Sequence, residues 1–122
     1  MFNDGLSLII SCEHGGTYIP KLFEHLFKGN KRIVNSHFGH DPGARELATT
    51  LHRKSRGLLF TSDLSRLICD MNRSPGNPKL FSKFTCCLSA GNKNYIRSHY
   101  YEHYRSPIER SIALNIDNGK KV

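Results

Sequence analysis

An α/β fold, with a mostly parallel or mixed sheet flanked by helices, is what this 122-residue sequence predicts. Three observations carry that expectation. The chain opens on the apolar run LSLII at residues 6–10, which ends at Cys12, Glu13, His14 and two glycines. An amphipathic segment with a sharp proline start occupies residues 42–54. Two further apolar runs, LLFTS and RLICDM, follow it closely, before a long helical C-terminal stretch. The order strand, helix, helix, strand, strand, helix is that of a layered structure in which helices cover a sheet. Ligands in such folds bind beyond the carboxyl ends of the strands.

Each element has its own reason. Residues 6–12 are rich in Leu and Ile and bounded by turn residues, so they read as a buried strand. Residues 20–27 read as a short helix, with Pro20 at its start and Gly29-Asn30 as its stop. Residues 31–40 carry no clear period. Asp41 fits an N-cap and Pro42 a first helical residue. Ala44, Leu47, Ala48 and Leu51 then recur at spacings of three and four, which predicts a helix over 42–54 with that stripe turned inward. Gly57 closes it. Residues 58–62 and 66–71 read as strands, and the Pro, Gly and Asn content of 72–78 makes a loop. From about Lys93 the sequence turns helical. Ser106, Pro107 and Glu109 match a capping box with proline first, so either a new helix starts there or one kinked helix runs through.

A chain of this length forms one domain with a modest core. No stretch is long and apolar enough to span a membrane. The N-terminus lacks the basic start of a secretory signal, so a cytoplasmic location is expected. Cys12 and Cys69 lie in apolar runs, Cys86 and Cys87 are adjacent, and no CxxC spacing occurs; all four are expected as reduced thiols. Lys and Arg number 18 against 10 Asp and Glu, a net charge of +8, which favours anionic ligands. The basic residues are scattered without a base-reading motif. A solvated basic surface is therefore the plainer account, and nucleic-acid binding is not the expected function.

Four places hold groups fit for chemistry. His14 leaves a strand beside Gly15-Gly16, where a ligand has room to approach, although a turn histidine bonded to backbone has the same signature. Asp41 reads as a helix cap whose second oxygen is free to meet a metal, with His37 and His40 nearby. Asn72 and Arg73 follow the third apolar run. The arginine offers a planar fork that matches a carboxylate, and Asp70 is placed to orient it. Ser65 and Arg66 offer a second anion contact or simply lie on an exposed face. His99 and His103 share a helix face, but Glu102 is misplaced for an HExxH zinc motif, and aromatic packing explains the tyrosines around them.

Taken together, SCEHGGTYIP (11–20), HDPGARELATTL (40–51), SRLICDMNRS (65–74) and HYYEHYRSPIERSI (99–112) resemble the N-formylglutamate amidohydrolase family, from about residue 6 to 115. The resemblance implies a zinc carboxypeptidase-like, phosphorylase/hydrolase-like α/β fold and metal-assisted hydrolysis of the amide of an N-acyl amino acid. It implies zinc as cofactor, with His14 as one ligand and Asp41 as the second, Glu13 being the rival. Asn72 and Arg73 would hold the carboxylate of a small anionic substrate, with Ser65 and Arg66 beside them. Only the N-terminal half of the family pattern is matched. The next family strand carries a His-Ser-Phe motif with a further metal ligand. Residues 1–122 are therefore expected to form a single incomplete domain that binds zinc weakly, turns over little or no substrate, and associates with itself through uncovered sheet. Two other readings stand beside this one: a non-catalytic remnant that keeps the anion site, and a basic module for nucleic acid or another partner.

Overall fold

The computed structural model describes residues 5–122. Two short strands, β1 (Ile9–Cys12) and β2 (Leu58–Thr61), lie side by side in parallel, in register from Ile9 opposite Leu58 to Cys12 opposite Thr61. Parallel neighbours need a long crossover. Residues 13–57 supply it, through a 3₁₀ segment (Lys21–Phe27), a single helical turn α1 (Lys31–Val34) and the helix α2 (Ala44–Ser55), which packs on both strands. The C-terminal helix is continuous in three parts: α3 (Ala90–Ile96), a π-helical turn at Arg97–Tyr101, and α4 (Glu102–Asp117). Of the two sequence readings of this region, the uninterrupted helix is the one observed. Pro107 lies inside α4, and Ser106 is no N-cap. The cap that does form is Ser89, whose hydroxyl accepts from the Asn92 amide at 3.2 Å.

The strands expected at 6–12 and 58–62 are present but shorter. Leu6 is tied in separately, by an isolated parallel bridge to Lys121. The strand expected at 66–71 is absent: this stretch is a chain of turns. It reads as a strand because Ile68, Cys69 and Met71 are fully buried. Burial alone does not distinguish a strand from any other buried segment. Its backbone groups find partners outside a ladder. Thr85 donates its hydroxyl to the Ile68 carbonyl at 3.0 Å, Ser82 donates to that of Leu67, and the Asp70 amide reaches the Leu80 carbonyl at 2.8 Å. A loop can cross a core only when it is satisfied in this way.

The core sits on one side of the sheet. Phe23 and Phe27 from the 3₁₀ segment meet Ile68, Leu80, Ile96 and Tyr101 there. The opposite side, under α2, is thin. Of the stripe expected to face inward, only Ala48 is buried, while Leu47 is 62% and Leu51 47% exposed. All four cysteines are free thiols, Cys12 and Cys69 buried and Cys86 and Cys87 exposed.

Gly16 explains the double glycine after β1. Residues 16–18 run against 63–65, where the Tyr18 amide donates to the Asp63 carbonyl at 2.8 Å and the Ser65 amide to that of Tyr18 at 2.9 Å. A Cβ on Gly16 would lie 2.1 Å from the Asp63 carbonyl oxygen, a backbone atom that cannot step aside. Gly16→Ala is therefore expected to cost about 1–3 kcal/mol. Gly76→Ala, where nothing lies within 4 Å of the added atom, is the control. Urea unfolding midpoints check this; equal midpoints for the two variants would contradict the close-approach account.

Candidate functional site

β1 delivers Glu13 and His14 at its carboxyl end. The His14 carbonyl accepts from the Asp41 amide at 2.8 Å, which stitches the loop before α2 to the strand end. Asp41 was expected to cap that helix with its side chain. Instead the N-cap is Gly43, at φ +83°, and Asp41 closes the turn with its backbone carbonyl, 3.2 Å from the Ala44 amide. Its carboxylate is thereby released toward His14.

The centre of the arrangement is Asp70. His14 Nε2 lies 2.6 Å from Asp70 Oδ1, and the Asn72 amide donates to the same oxygen at 3.0 Å. The other oxygen, Oδ2, faces Arg66 at 3.5 Å and Arg73 Nε at 3.4 Å. The Arg73 contact is close enough for an ion pair but not aligned as a hydrogen bond, and among the described residues that buried Nε has no acceptor. Both His14 and Asp70 are largely buried. On its far side His14 Nδ1 stands 3.4 Å from Asp41 Oδ2, and Arg66 reaches Asp41 Oδ1 at 3.4 Å. Arg66 thus spans two carboxylates with His14 between them.

Other expected site residues lie close by in different roles. Ser65 is fully buried and donates its hydroxyl to the Gly39 carbonyl at 3.0 Å, fastening the loop that carries Asp41 to the segment that carries Arg66. Asn72 is exposed at the mouth of the cleft. Glu13 Oε1 accepts from Tyr104 Oη at 3.3 Å, so it is engaged by α4. His37 packs at a tilt against the Phe38 ring, and His40 Nδ1 lies 3.2 Å from the Ser36 carbonyl. His99 and His103 line a separate cleft with Tyr18 and Asp63. The residues that sequence reasoning placed too far out are Asp70, read as a partner of arginine alone, and Tyr104, read as packing. Nothing local in the sequence pairs residue 70 with residue 14.

The protonation states follow from these contacts. The Asp70 hydrogen bond raises the pKa of His14 above its ordinary value, against the opposing effect of burial. Burial alone would raise the carboxyl of Asp70. The His14 bond, the Asn72 amide and Arg66 outweigh it and leave the group below the ordinary range. Burial, then the neighbouring Glu13, push the Tyr104 hydroxyl well up, so it is a donor at all working pH. Among the described residues no group of three or more His, Cys, Asp or Glu side chains is placed to hold a metal ion. No helix among them is long and apolar enough to cross a membrane.

A histidine and two carboxylates, with arginines beside them, stand at the end of the parallel strand pair of an α/β protein. Its family is shown by comparison. The family model for N-formylglutamate amidohydrolase matches residues 6–117, and the chain belongs to that family. The fold is also that of the crystal structure of gene product Atu2144 from Agrobacterium tumefaciens, with a TM-score of 0.83 and 27% identity. The match covers 98% of this chain and 50% of that one, so the chain spans about half the length of this structural relative. No curated protein matches.

The coupled pair fixes a pH window for stability in the metal-free protein. His14, raised on folding, contributes fully below about 6.5 and loses its contribution as pH rises through its folded value. Asp70, lowered on folding, contributes above about 3.8 and loses its contribution as pH falls through its folded value. Thermal melts should therefore show a plateau between those limits and a decline on both sides. His14→Gln should flatten the alkaline decline. An alkaline limb unchanged in that variant would show that His14 is not its source.

Proposed function

We propose that this chain carries the metal-facing and anion-facing half of an amidohydrolase site, for hydrolysis of the amide of a small N-acyl amino acid. The observation that carries the reading is the 3.4 Å gap between His14 Nδ1 and Asp41 Oδ2. Two ligands held at about 2.0–2.1 Å from one tetrahedral zinc ion are separated by about 3.3–3.4 Å. The other nitrogen of the ring is committed to Asp70. A metal-binding histidine ordinarily gives its second N–H to a carboxylate in this way, which fixes the tautomer and makes the free nitrogen more basic. His14 and Asp41 are thus the residues that would hold the ion. Asp70 would orient the first of them and Arg66 the second. A zinc ion bound there would supply Lewis-acid polarisation of the amide carbonyl and a water of lowered pKa.

Arg73 and Asn72 are the residues that would hold the substrate's carboxylate. Arg73 keeps its buried Nε beside Asp70, while its side chain as a whole is 41% exposed, so the outer part of the guanidinium fork is what an arriving carboxylate would meet. The adjacent Asn72 side chain is exposed at the mouth of the cleft. The net charge of +8 favours approach of an anion. Glu13 is the rival ligand to Asp41. Its bond to Tyr104 makes it the less available of the two.

A reading without turnover has one observation in its favour, since a catalytic zinc normally has three protein ligands and only two are offered here among the described residues. Zinc binding by the 122-residue chain is therefore expected to be weak and hydrolysis slow. Calorimetry with zinc, and separately with N-formyl-L-glutamate, tests the assignment. Asp41→Asn should weaken zinc binding by about 10–100-fold, and Asp41 is exposed enough for the variant to fold. Arg73→Lys keeps the charge but loses the fork, and should weaken N-formyl-L-glutamate by about tenfold. Unchanged zinc affinity in the first variant would remove Asp41 from the metal pair. Unchanged ligand affinity in the second would remove Arg73 from the anion site.

A further inference from the structure

Cys86 and Cys87 take no part in the candidate site, yet they stand together on the surface. Both thiols are exposed, whereas Cys12 and Cys69 are buried. Their sulfur atoms are 3.7 Å apart, close enough for one thiol to donate to the other. The turn that carries them is fastened from beneath. The Cys86 amide donates to the Ser82 carbonyl at 2.8 Å and the Leu88 amide to that of Thr85 at 3.1 Å. Thr85 itself is fully buried, with its hydroxyl on the Ile68 carbonyl at 3.0 Å. A fixed backbone thus presents two thiols side by side to solvent.

The surroundings are cationic. Between Asp70 and Glu102 the sequence holds no acidic residue, but it holds Arg73, Lys79, Lys83, Lys93 and Arg97. Among the described residues Lys79, Lys83, Lys93 and Arg97 have no carboxylate partner. Aromatic faces hold three of them instead. Lys83 Nζ lies 5.3 Å from the Phe84 ring centre, Lys93 Nζ 5.5 Å from that of Phe81, and the Arg97 guanidinium 5.2 Å from the same Phe81 ring. Lys93 also acts on the thiols. The bond to Cys86, then the charge of Cys86, hold the Cys87 thiol above its ordinary value, while Lys93 pulls it down. Among the described residues no carboxylate acts on it. Once one thiol of the pair ionises, its neighbour keeps its proton and donates to the thiolate.

Three kinds of chemistry suit two adjacent thiols, and the surroundings choose between them. A divalent metal ion would find two sulfurs but a cationic rim, and no third His, Cys, Asp or Glu joins them among the described residues. Closure to an internal disulfide meets a geometric obstacle. Neighbouring Cα atoms across a trans peptide are about 3.8 Å apart. Disulfides ordinarily span about 4.4–6.8 Å between Cα atoms, and departures from that range leave the bond strained and easily reduced. Exchange with an external disulfide needs neither a third ligand nor a moved backbone, and a negatively charged one is drawn to the patch.

We propose that Cys86 and Cys87 form a site of reversible S-thiolation, at which an anionic low-molecular-weight disulfide of the glutathione type is captured as a mixed disulfide. In the exchange a thiolate of the pair attacks one sulfur of the incoming disulfide. That S–S bond breaks, and a new S–S bond joins the cysteine to the attacked half. The other half departs as a thiolate and takes up a proton from water. The cysteine is oxidised and the departing half is reduced, so no other oxidant enters. The adduct persists because the strain that opposes a Cys86–Cys87 disulfide also opposes its expulsion by the neighbouring thiol. The inference stands on the thiol pair and its cations and does not depend on the hydrolase reading.

The test is the rate of mixed-disulfide formation on the reduced chain, followed by intact-mass spectrometry with peptide mapping. Two probes are compared: glutathione disulfide, which is anionic, and cystamine, which is cationic. Each rate is divided by that of the same disulfide with N-acetylcysteine amide, a neutral thiol. At low salt the corrected rates should favour glutathione disulfide by at least about fivefold, with one adduct per chain at Cys86 or Cys87. Lys83→Gln combined with Lys93→Gln should bring the ratio close to one, as should salt at about 1 M. Cys86→Ser and Cys87→Ser each remove the thiol that supports the other's thiolate, and each should react at least about threefold more slowly than the wild type. Equal or faster corrected reaction with cystamine overturns the proposal, as does a ratio indifferent to the two lysines. So do wild-type rates in both serine variants, closure of the pair to an internal disulfide with no adduct retained, or modification confined to Cys12 and Cys69.

Discussion

One buried carboxylate organises the structure. Asp70 accepts from His14 at the end of β1 and from the Asn72 amide, and faces Arg66 and Arg73 with its other oxygen. The end of β1 is thereby fastened to a segment with no regular secondary structure, and Arg66 of that segment reaches the loop that carries Asp41. Removing one partner from such a cluster leaves a buried charge uncompensated, at a cost of roughly 3–5 kcal/mol. The cluster also explains how residues 66–73 can be a loop inside the molecule. Its backbone groups are satisfied by Thr85, Ser82 and Leu80 in place of a ladder, and its Asp70 carboxylate by His14 and the arginines.

The same cluster sets the geometry of the candidate site. With Nε2 of His14 held by Asp70, the remaining nitrogen is aimed at Asp41, whose carboxylate is free because Gly43 takes over the start of α2. Gly16 and Ser65 hold the surrounding loops at close range, the one by having no side chain and the other by a buried hydroxyl. The site is thus preorganised on its protein side. On the other side of the sheet the packing is thin. Leu47 and Leu51 stand open beside a strand edge that has no partner at Ile9 and Ser11 among the described residues and that ends at Glu13 and His14. The apolar exposure and the candidate site meet at one strand.

Much of this was legible in the sequence, and the failures have physical causes. The β1 and β2 runs and the α2 helix follow from composition and period, because each is a local pattern. The π turn at Arg97–Tyr101 and the continuity of the helix through Pro107 do not, since tertiary packing overrides the proline signal there. The run RLICDM looked like a strand because burial was mistaken for pairing. The inward stripe of α2 was read correctly as apolar, but Leu47 and Leu51 have nothing described to pack against. His14, Asp41 and Asn72, singled out from their motifs, line one cleft, and Arg73 meets Asp70 beside it. The partnership of His14 with Asp70 was invisible because it joins positions 56 residues apart. The carboxylate of Asp41 was assigned to capping because nothing local announces that a glycine at φ +83° will do that work.

The central claim is that Asp70 sets the tautomer of His14 and leaves Nδ1 facing Asp41. The most direct measurement is the ¹⁵N chemical shifts of the His14 ring in metal-free protein, at a pH above its raised pKa, in the wild type and in Asp70→Asn. The account predicts a neutral ring protonated on Nε2 in the wild type, and loss of that preference together with the raised pKa in the variant. A wild-type ring protonated on Nδ1, or one indifferent to Asp70, would contradict it.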